Sequence, residues 1–188
     1  VKEYRFDAQL RIAALLGSTN RIKESREHLD QMRNGSQIQS ALVRIYMTEG
    51  EVLSAAGQFG EALEVYNAAV KISPGNIDLL FARGMVAERL DRLDILEADI
   101  KAVLKVQPNN AHALNALGYT LADRTDRLEE AYDMLKRAVD LMPTNAAILD
   151  SFGWVNYRMG NYDAAIRLLR SALSQYYDSE IAAHLGEV

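Results

Sequence analysis

The stretch that decides the fold runs from Ala111 to Asn145 and reads AHALNALGYTLADRTDRLEEAYDMLKRAVDLMPTN. It carries Leu114, Leu117, Gly118 and Leu121 at helical spacing, then a charged turn, then Ala131 and Leu135, and it closes on Pro143. Apolar residues three and four apart predict an amphipathic helix, and two such runs around a short turn predict a helix hairpin. Proline removes a backbone donor and disfavours helix in the residue before it, so the second helix should stop near Met142.

The same punctuation recurs along the chain. Pro74, Pro108 and Pro143 lie 34 and 35 residues apart, and Gly50, Gly84, Gly118 and Gly153 lie 34, 34 and 35 apart. A period of this size marks stacked helical units, here beginning at Val43, Ile77, Ala111 and Ala146, with the glycine at the eighth position of each. The neighbouring units carry Tyr46, Glu49, Gly50, Leu53, Ala62, Tyr66 and Pro74; then Leu80, Arg83, Gly84, Ala87, Leu96, Ile100 and Pro108; and then Leu149, Phe152, Gly153, Asn156, Ala165 and Leu169, with Tyr177 in the proline position. Gly at position eight and Ala62, Ala131 and Ala165 should let paired helices approach closely. Asn76, Asn110 and Asn145 stand where the next helix needs an N-cap. Gly57, Asp91 and Gly160 are expected in the tight turns within units.

Upstream, Phe6 to Leu42 reads as a degenerate unit with Gln9, Ile12, Ala13 and Leu16, a turn at Thr19-Asn20, and Ser25, Leu29 and Met32. Downstream, Ser179 to Val188 restarts the pattern, and the third unit carries one extra residue in its turn.

These residues match the pattern W-x2-L-G-x2-Y, A-x3-F, P, and the chain resembles the tetratricopeptide repeat family over nearly its whole length. The resemblance implies an all-α, right-handed superhelix of helix-turn-helix units, with first helices lining a concave groove and second helices outside. The expected repeats are 6–42, 43–76, 77–110, 111–145 and 146–178, with a partial one at 179–188: a single array of about five units. A start at Val1 and an end inside an apolar-periodic segment read as a piece of a longer polypeptide, so any signal segment or lipid anchor is expected outside it.

Composition narrows the functional classes. With 49% hydrophobic and 25% charged residues the chain has the make-up of an ordered protein, and its three prolines and Ala/Leu-rich texture favour helix. A formal net charge of −5 argues against a nucleic-acid partner. There is no cysteine, which excludes disulfides and thiolate chemistry within this stretch. His28, His112 and His184 sit in different units without ligand spacing, and no GxSxG, GxGxxG or Walker loop occurs, so neither metal, cofactor, small-molecule substrate nor catalytic machinery is expected.

The expected function is therefore protein or peptide binding. Helical geometry of about 100° per residue puts position nine of a first helix about 150° from the buried direction of its own unit. The resemblance places that face on the groove. Position nine supplies Glu51, Met85, Tyr119 and Trp154, the only tryptophan in the chain. Position five adds Met47, Phe81, Asn115 and Asp150, and positions twelve and thirteen add Tyr157, Arg89, Asp123 and Arg158. The expected partner-binding residues are Met47, Phe81, Met85, Arg89, Asn115, Tyr119, Asp150, Trp154, Tyr157 and Arg158, since aromatic, Met and Arg side chains favour recognition surfaces. The alternative is that these large side chains pack on neighbouring first helices as solenoid core. Asn156, polar at an apolar position, is expected to bond a backbone carbonyl or the adjacent turn.

The Lys/Asn clamp by which some repeat proteins hold a C-terminal carboxylate is absent: its places hold Met47, Glu51, Ala82, His112 and Ala116 in one register, and Phe81, Met85, Ala116, Ala147 and Ser151 in the next. The stretches at 113–131, 148–165 and 179–188 resemble a subgroup of bacterial repeat proteins, many of them exported lipoproteins held at the inner face of the outer membrane. One member recruits a carboxyl-terminal processing protease to cell-wall hydrolases. That resemblance implies a periplasmic adaptor, with a cytoplasmic scaffold as the alternative location. The other functional alternative is a self-assembling module, its groove or its uncapped C-terminal end filled by another copy.

Overall fold

A computed structural model describes residues 2–176 and 178–188 of the chain. The described residues form eleven helices and no strand: α1 (Lys2–Ser18), α2 (Ile22–Asn34), α3 (Gln39–Ala55), α4 (Phe59–Ile72), α5 (Ile77–Arg89), α6 (Leu93–Val106), α7 (Ala111–Arg124), α8 (Leu128–Leu141), α9 (Ala146–Arg158), α10 (Tyr162–Gln175) and α11 (Ser179–Glu187). Tyr177, expected in the proline position of its unit, lies outside the described residues.

Each predicted cap forms. The side chains of Asn76, Asn110 and Asn145 accept the backbone N–H of Leu79, Ala113 and Ile148 at 3.0, 3.0 and 3.1 Å. Each satisfies one of the donors that a helix start leaves without a partner. The turns follow the same logic: Gly57 and Gly160 adopt φ of 72° and 79°, and Asp91 and Asn20 tolerate 57° and 60°. The extra residue of the third unit solves that turn differently. Thr125 is extended (φ −141°, ψ 174°), its hydroxyl donates to the Leu121 carbonyl at 2.6 Å and accepts from the Arg127 N–H at 3.1 Å, and no left-handed residue is needed.

The glycines at position eight explain how close the paired helices come. A Cβ on Gly50 would lie 2.3 Å from Tyr66 Cζ, one on Gly118 2.7 Å from Leu135 Cγ, and one on Gly153 2.8 Å from Leu169 Cγ. Tyr66, Leu135 and Leu169 are buried, as are Ala62, Ala131 and Ala165 beside them.

The chain divides into two compact units, Val1–Asp99 and Ile100–Val188. In the first, Leu10, Ala13, Leu29 and Ile45 form one core, so a residue of α3 completes the packing of α1 on α2. Ser25 is buried with its hydroxyl donating to the Ala13 carbonyl at 2.7 Å. The expected phase of α1 needs a correction here: Leu10 faces this core, whereas Ile12 is 42% exposed. In the second unit, Ala111, Leu114 and Ala138 receive Ile148 from α9, and Leu149 and Ala172 receive Ile181 from α11. The α1/α2, α7/α8 and α9/α10 hairpins are thus each sealed by the third residue of the following repeat.

Two ion networks tie the first unit together. Glu49, 3% exposed, is held between Arg26 Nε at 3.2 Å and the Arg33 guanidinium, which also covers the Tyr46 ring at 4.4 Å. Arg83 donates twice to Asp99, both at 2.7 Å, and once to the Asn67 side chain at 3.0 Å. Charges removed from water in this way hold their geometry because removal of one partner leaves the other buried and unpaired.

Candidate functional site

The first-helix face of the first unit is made by α1, α3 and α5. Met47, Phe81 and Met85 are half-buried there, and Arg89 is exposed with its guanidinium 5.2 Å over the Phe59 ring. Met47 borders two depressions: one of about 510 Å³ shared with Gln39, Val43 and Asn76, and one of about 400 Å³ shared with Asp7, Leu10 and Glu51. Arg44 lies in both walls and is paired with Asp7 at 2.6 Å. The first is an open, mainly apolar site and the second a more polar one, and a methionine can adapt its shape to fit different side chains.

In the second unit, α7, α9 and α11 bring a different set together. Trp154 and Asp150 are buried, 8% and 6% exposed. The cover is α11: the His184 ring stacks on the Trp154 indole at a centroid distance of 4.4 Å and an interplanar angle of 23°. His184 Nδ1 lies 2.9 and 3.0 Å from the two Asp150 carboxylate oxygens. Tyr119 donates its hydroxyl to Glu180 of α11 at 3.2 Å, and its ring is 6.3 Å from that of His184. Tyr157 packs against the other side of Trp154 at 5.3 Å.

Electrostatics follow from this packing. The hydrogen bond that the His184 ring donates to Asp150 raises the His184 pKa against the opposing effect of burial, with Glu180 and Glu187 adding to the rise. Burial, reinforced by Asp123 and Glu180, pushes the Tyr119 phenol well above the ordinary tyrosine range. The cluster is therefore a cation-stabilising seam between helices. Among the described residues, no group of three or more His, Cys, Asp or Glu is placed to hold a metal ion.

The expected groove residues are thus in two situations. Met47, Phe81, Met85, Asn115, Tyr119 and Tyr157 are half-buried, while Asp150 and Trp154 are held beneath α11. Arg158 donates to the Ala122 and Asp123 carbonyls at 2.5 and 3.2 Å, capping the negative end of α7. Asn115 Oδ1 and Trp154 Nε1 are buried without a hydrogen-bond partner among the described residues. Asn156 does what its sequence position predicts: Nδ2 donates to the Phe152 carbonyl at 2.7 Å, and its own carbonyl accepts from the Asn161 N–H at 2.8 Å in the turn.

His184 was missed from sequence as an isolated histidine. A signal was present, because it stands 34 residues after Asp150, one repeat period on. Residues one period apart on first helices become neighbours when units stack.

A chain of helix hairpins that repeats every 34 to 35 residues, packed through glycine and alanine and sealed by the next unit, is a helical-repeat solenoid. It is the kind of scaffold used for protein–protein interaction. The tetratricopeptide repeat family matches over residues 43–76, 81–146 and 124–186, and the chain belongs to that family. It is 44% identical over 180 residues to the TPR repeat-containing protein PA4667 of Pseudomonas aeruginosa, a match that covers 96% of this chain and 30% of that protein. Among solved structures it is similar to YrrB, a TPR protein with an unusual peptide-binding site (TM-score 0.72, 21% identity, 100% of this chain and 96% of that one). It is also similar to a tetratricopeptide repeat protein from Parabacteroides merdae (TM-score 0.81, 15% identity, 97% and 71%). At these identities the structural likenesses speak for the fold alone.

Proposed function

We propose that the chain is a non-enzymatic adaptor segment that binds a peptide or protein through its first-helix faces, within a periplasmic protein anchored at the outer membrane. The observation that carries the reading is the open depression beside Met47 and Val43 in the first unit, with Arg44 and Asn76 in its wall, together with the half-buried Phe81 and Met85 of α5. Large, adaptable apolar side chains ringed by polar groups favour capture of an apolar anchor from a partner. In the second unit the contact residues are Asn115, Tyr119 and Tyr157, with Asp150 and Trp154 supporting them from beneath and Arg158 holding the end of α7. YrrB's peptide-binding site supports peptide capture as a use of this architecture. The periplasmic location rests on the resemblance of residues 148–165 and 179–188 to exported repeat lipoproteins.

Photo-crosslinking tests the reading. A photoreactive residue at Met85 should capture a partner in intact cells, and one at the exposed Glu64 of α4 should not. Phe81→Ala with Met85→Ala should abolish a capture made from Met47 while the far-UV circular dichroism stays unchanged. A folded double variant that captures the same partner in the same yield removes the groove from consideration. Fractionation of the full-length protein into the soluble cytoplasm would end the periplasmic assignment.

A further inference from the structure

Helices α5, α7 and α9 begin at Ile77, Ala111 and Ala146, the first positions of their repeats, and run for 13, 14 and 13 residues. Helix α3 runs for 17, because Gln39 to Leu42 add a turn ahead of Val43. The added turn is held in place: the Gln39 side chain donates to the Ile72 carbonyl at the end of α4 at 2.6 Å. Together with the start of α1 and the end of α2, it encloses a further depression of about 720 Å³.

The lining of this depression is chemically one-sided. Phe6, Met32, Ile38 and Ala41 supply its apolar part. Phe6 and Met32 rest on the Leu10, Ala13, Leu29 and Ile45 core, so that wall is firmly backed, and Ile38 stands 67% exposed. Arg5 and Arg44 are the charged lining residues; the others are Gln, Ser and Gly, and no carboxylate lines the space. Arg5 makes no ion pair among the described residues. Arg44 gives one N–H to Asp7 at 2.6 Å and lies 5.1 Å over the Phe6 ring, which leaves most of its five donors for a ligand. Apolar walls with a few placed polar groups, in a space within about 300–1,000 Å³, are the make-up of a ligand site.

We propose that this depression is a recognition pocket for an acidic peptide segment that carries an apolar side chain on either side of its carboxylate. Ser40 and Arg44 also line the depression beside Val43 and Met47, so the two hollows meet across the first turns of α3. An extended peptide presents alternate side chains on one face, about 6.5–7 Å apart. Apolar, acidic and apolar residues at alternate positions then meet the larger depression, Arg44 and the Met47 depression in that order. Two arginines in a wall without a carboxylate favour negative over positive charge. A lone amphiphilic acid would fill one hollow and leave the other open. The proposal deepens the groove reading by naming the chemistry of a partner segment, and it rests on that reading for the Met47 depression.

The test is fluorescence anisotropy of a labelled synthetic peptide, with Leu, Glu and Leu at alternate positions and Ser between them, titrated with the 188-residue chain. Binding should saturate, and it should weaken by about tenfold or more when Lys replaces the Glu of the peptide. Arg5→Glu and Ile38→Asp change exposed side chains, so each should weaken binding about tenfold at an unchanged melting temperature. Arg5→Lys should keep it. Phe81→Ala with Met85→Ala should leave the peptide bound, because neither residue lines either depression. Loss of cellular capture at Met85 with peptide binding retained would therefore remove the groove partner and leave this pocket standing. The proposal is overturned if the peptide does not saturate the protein up to about 1 mM. It is equally overturned if the Lys peptide binds as tightly, if both pocket variants bind as the parent does, or if decanoate binds and the peptide does not.

Discussion

Asp150 and His184 stand one repeat period apart and meet through a forked contact, His184 Nδ1 lying 2.9 and 3.0 Å from the two carboxylate oxygens. The pair joins α9 to α11 directly above the only tryptophan in the chain. A repeat protein ordinarily joins its units by apolar packing. Here an ionisable contact is added to it.

That contact makes the seam sensitive to pH. His184 has its pKa raised in the folded protein, chiefly by the Asp150 hydrogen bond. A raised folded value means that the stabilisation is complete below the unfolded histidine value of about 6.5 and is lost as pH rises through the folded value. The groups facing His184 are Asp150 on α9, Tyr119 on α7, and Glu180 and Glu187 on its own helix. Trp154 reports the change, since it is buried under the imidazole. Raising the pH above neutrality should red-shift its emission and speed exchange in α11. His184→Gln should flatten both dependences, and an unaltered pH profile in that variant would assign them to another group.

The glycines give opposite predictions at sites that look alike in sequence. Gly153→Ala places a methyl 2.8 Å from Leu169 Cγ and 2.9 Å from Leu169 Cδ2, whereas Gly60→Ala in α4 meets nothing within 4 Å. Overpacking costs about 1–3 kcal/mol, and replacing a helical glycine by alanine gains up to about 1 kcal/mol. Gly153→Ala should lower the urea midpoint, and Gly60→Ala should raise it.

The Arg83–Asp99 pair should behave as a buried ion pair. Asp99 is 3% exposed and receives two guanidinium hydrogen bonds. Asp99→Ala leaves Arg83 with only the Asn67 side chain and should cost about 3–5 kcal/mol, measured by chemical denaturation. Arg83→Met with Asp99→Leu should recover most of that loss. Failure to recover would mean that the pair fixes the helix packing and does not merely compensate its own burial.

The way these features are encoded explains which were readable from sequence. Asn76, Asn110 and Asn145 were legible because a cap is a local device, set within three residues of its partner. Gly118 and Gly153 were legible because one backbone distance recurs in every unit. Ile12 was misread because α1 carries apolar residues on two faces, Leu10 and Ala13 on one and Ile12 and Leu15 on the other, and helical spacing alone does not say which is covered. The cover over Trp154 was not legible, because it depends on α11 packing against the face that its own unit leaves free. The expected groove residues accordingly divide between the open floor around Met47 and the closed seam around Trp154.

Trp154 carries the last prediction. Its ring is packed between His184 and Tyr157, yet Nε1 is buried without a partner among the described residues. The side chain therefore contributes through its area, and its N–H counts against the fold. Trp154→Ala should cost about 3–5 kcal/mol, the range for truncating a large buried aromatic residue. Trp154→Phe keeps part of the ring contact and removes the unpaired donor, whose burial costs about 1–3 kcal/mol. The two effects oppose each other, so Trp154→Phe should lie within about 1 kcal/mol of the parent by circular dichroism in urea. A loss for Trp154→Phe as large as that for Trp154→Ala would mean that the indole N–H is satisfied in solution, and that it belongs to the bonding of the seam after all.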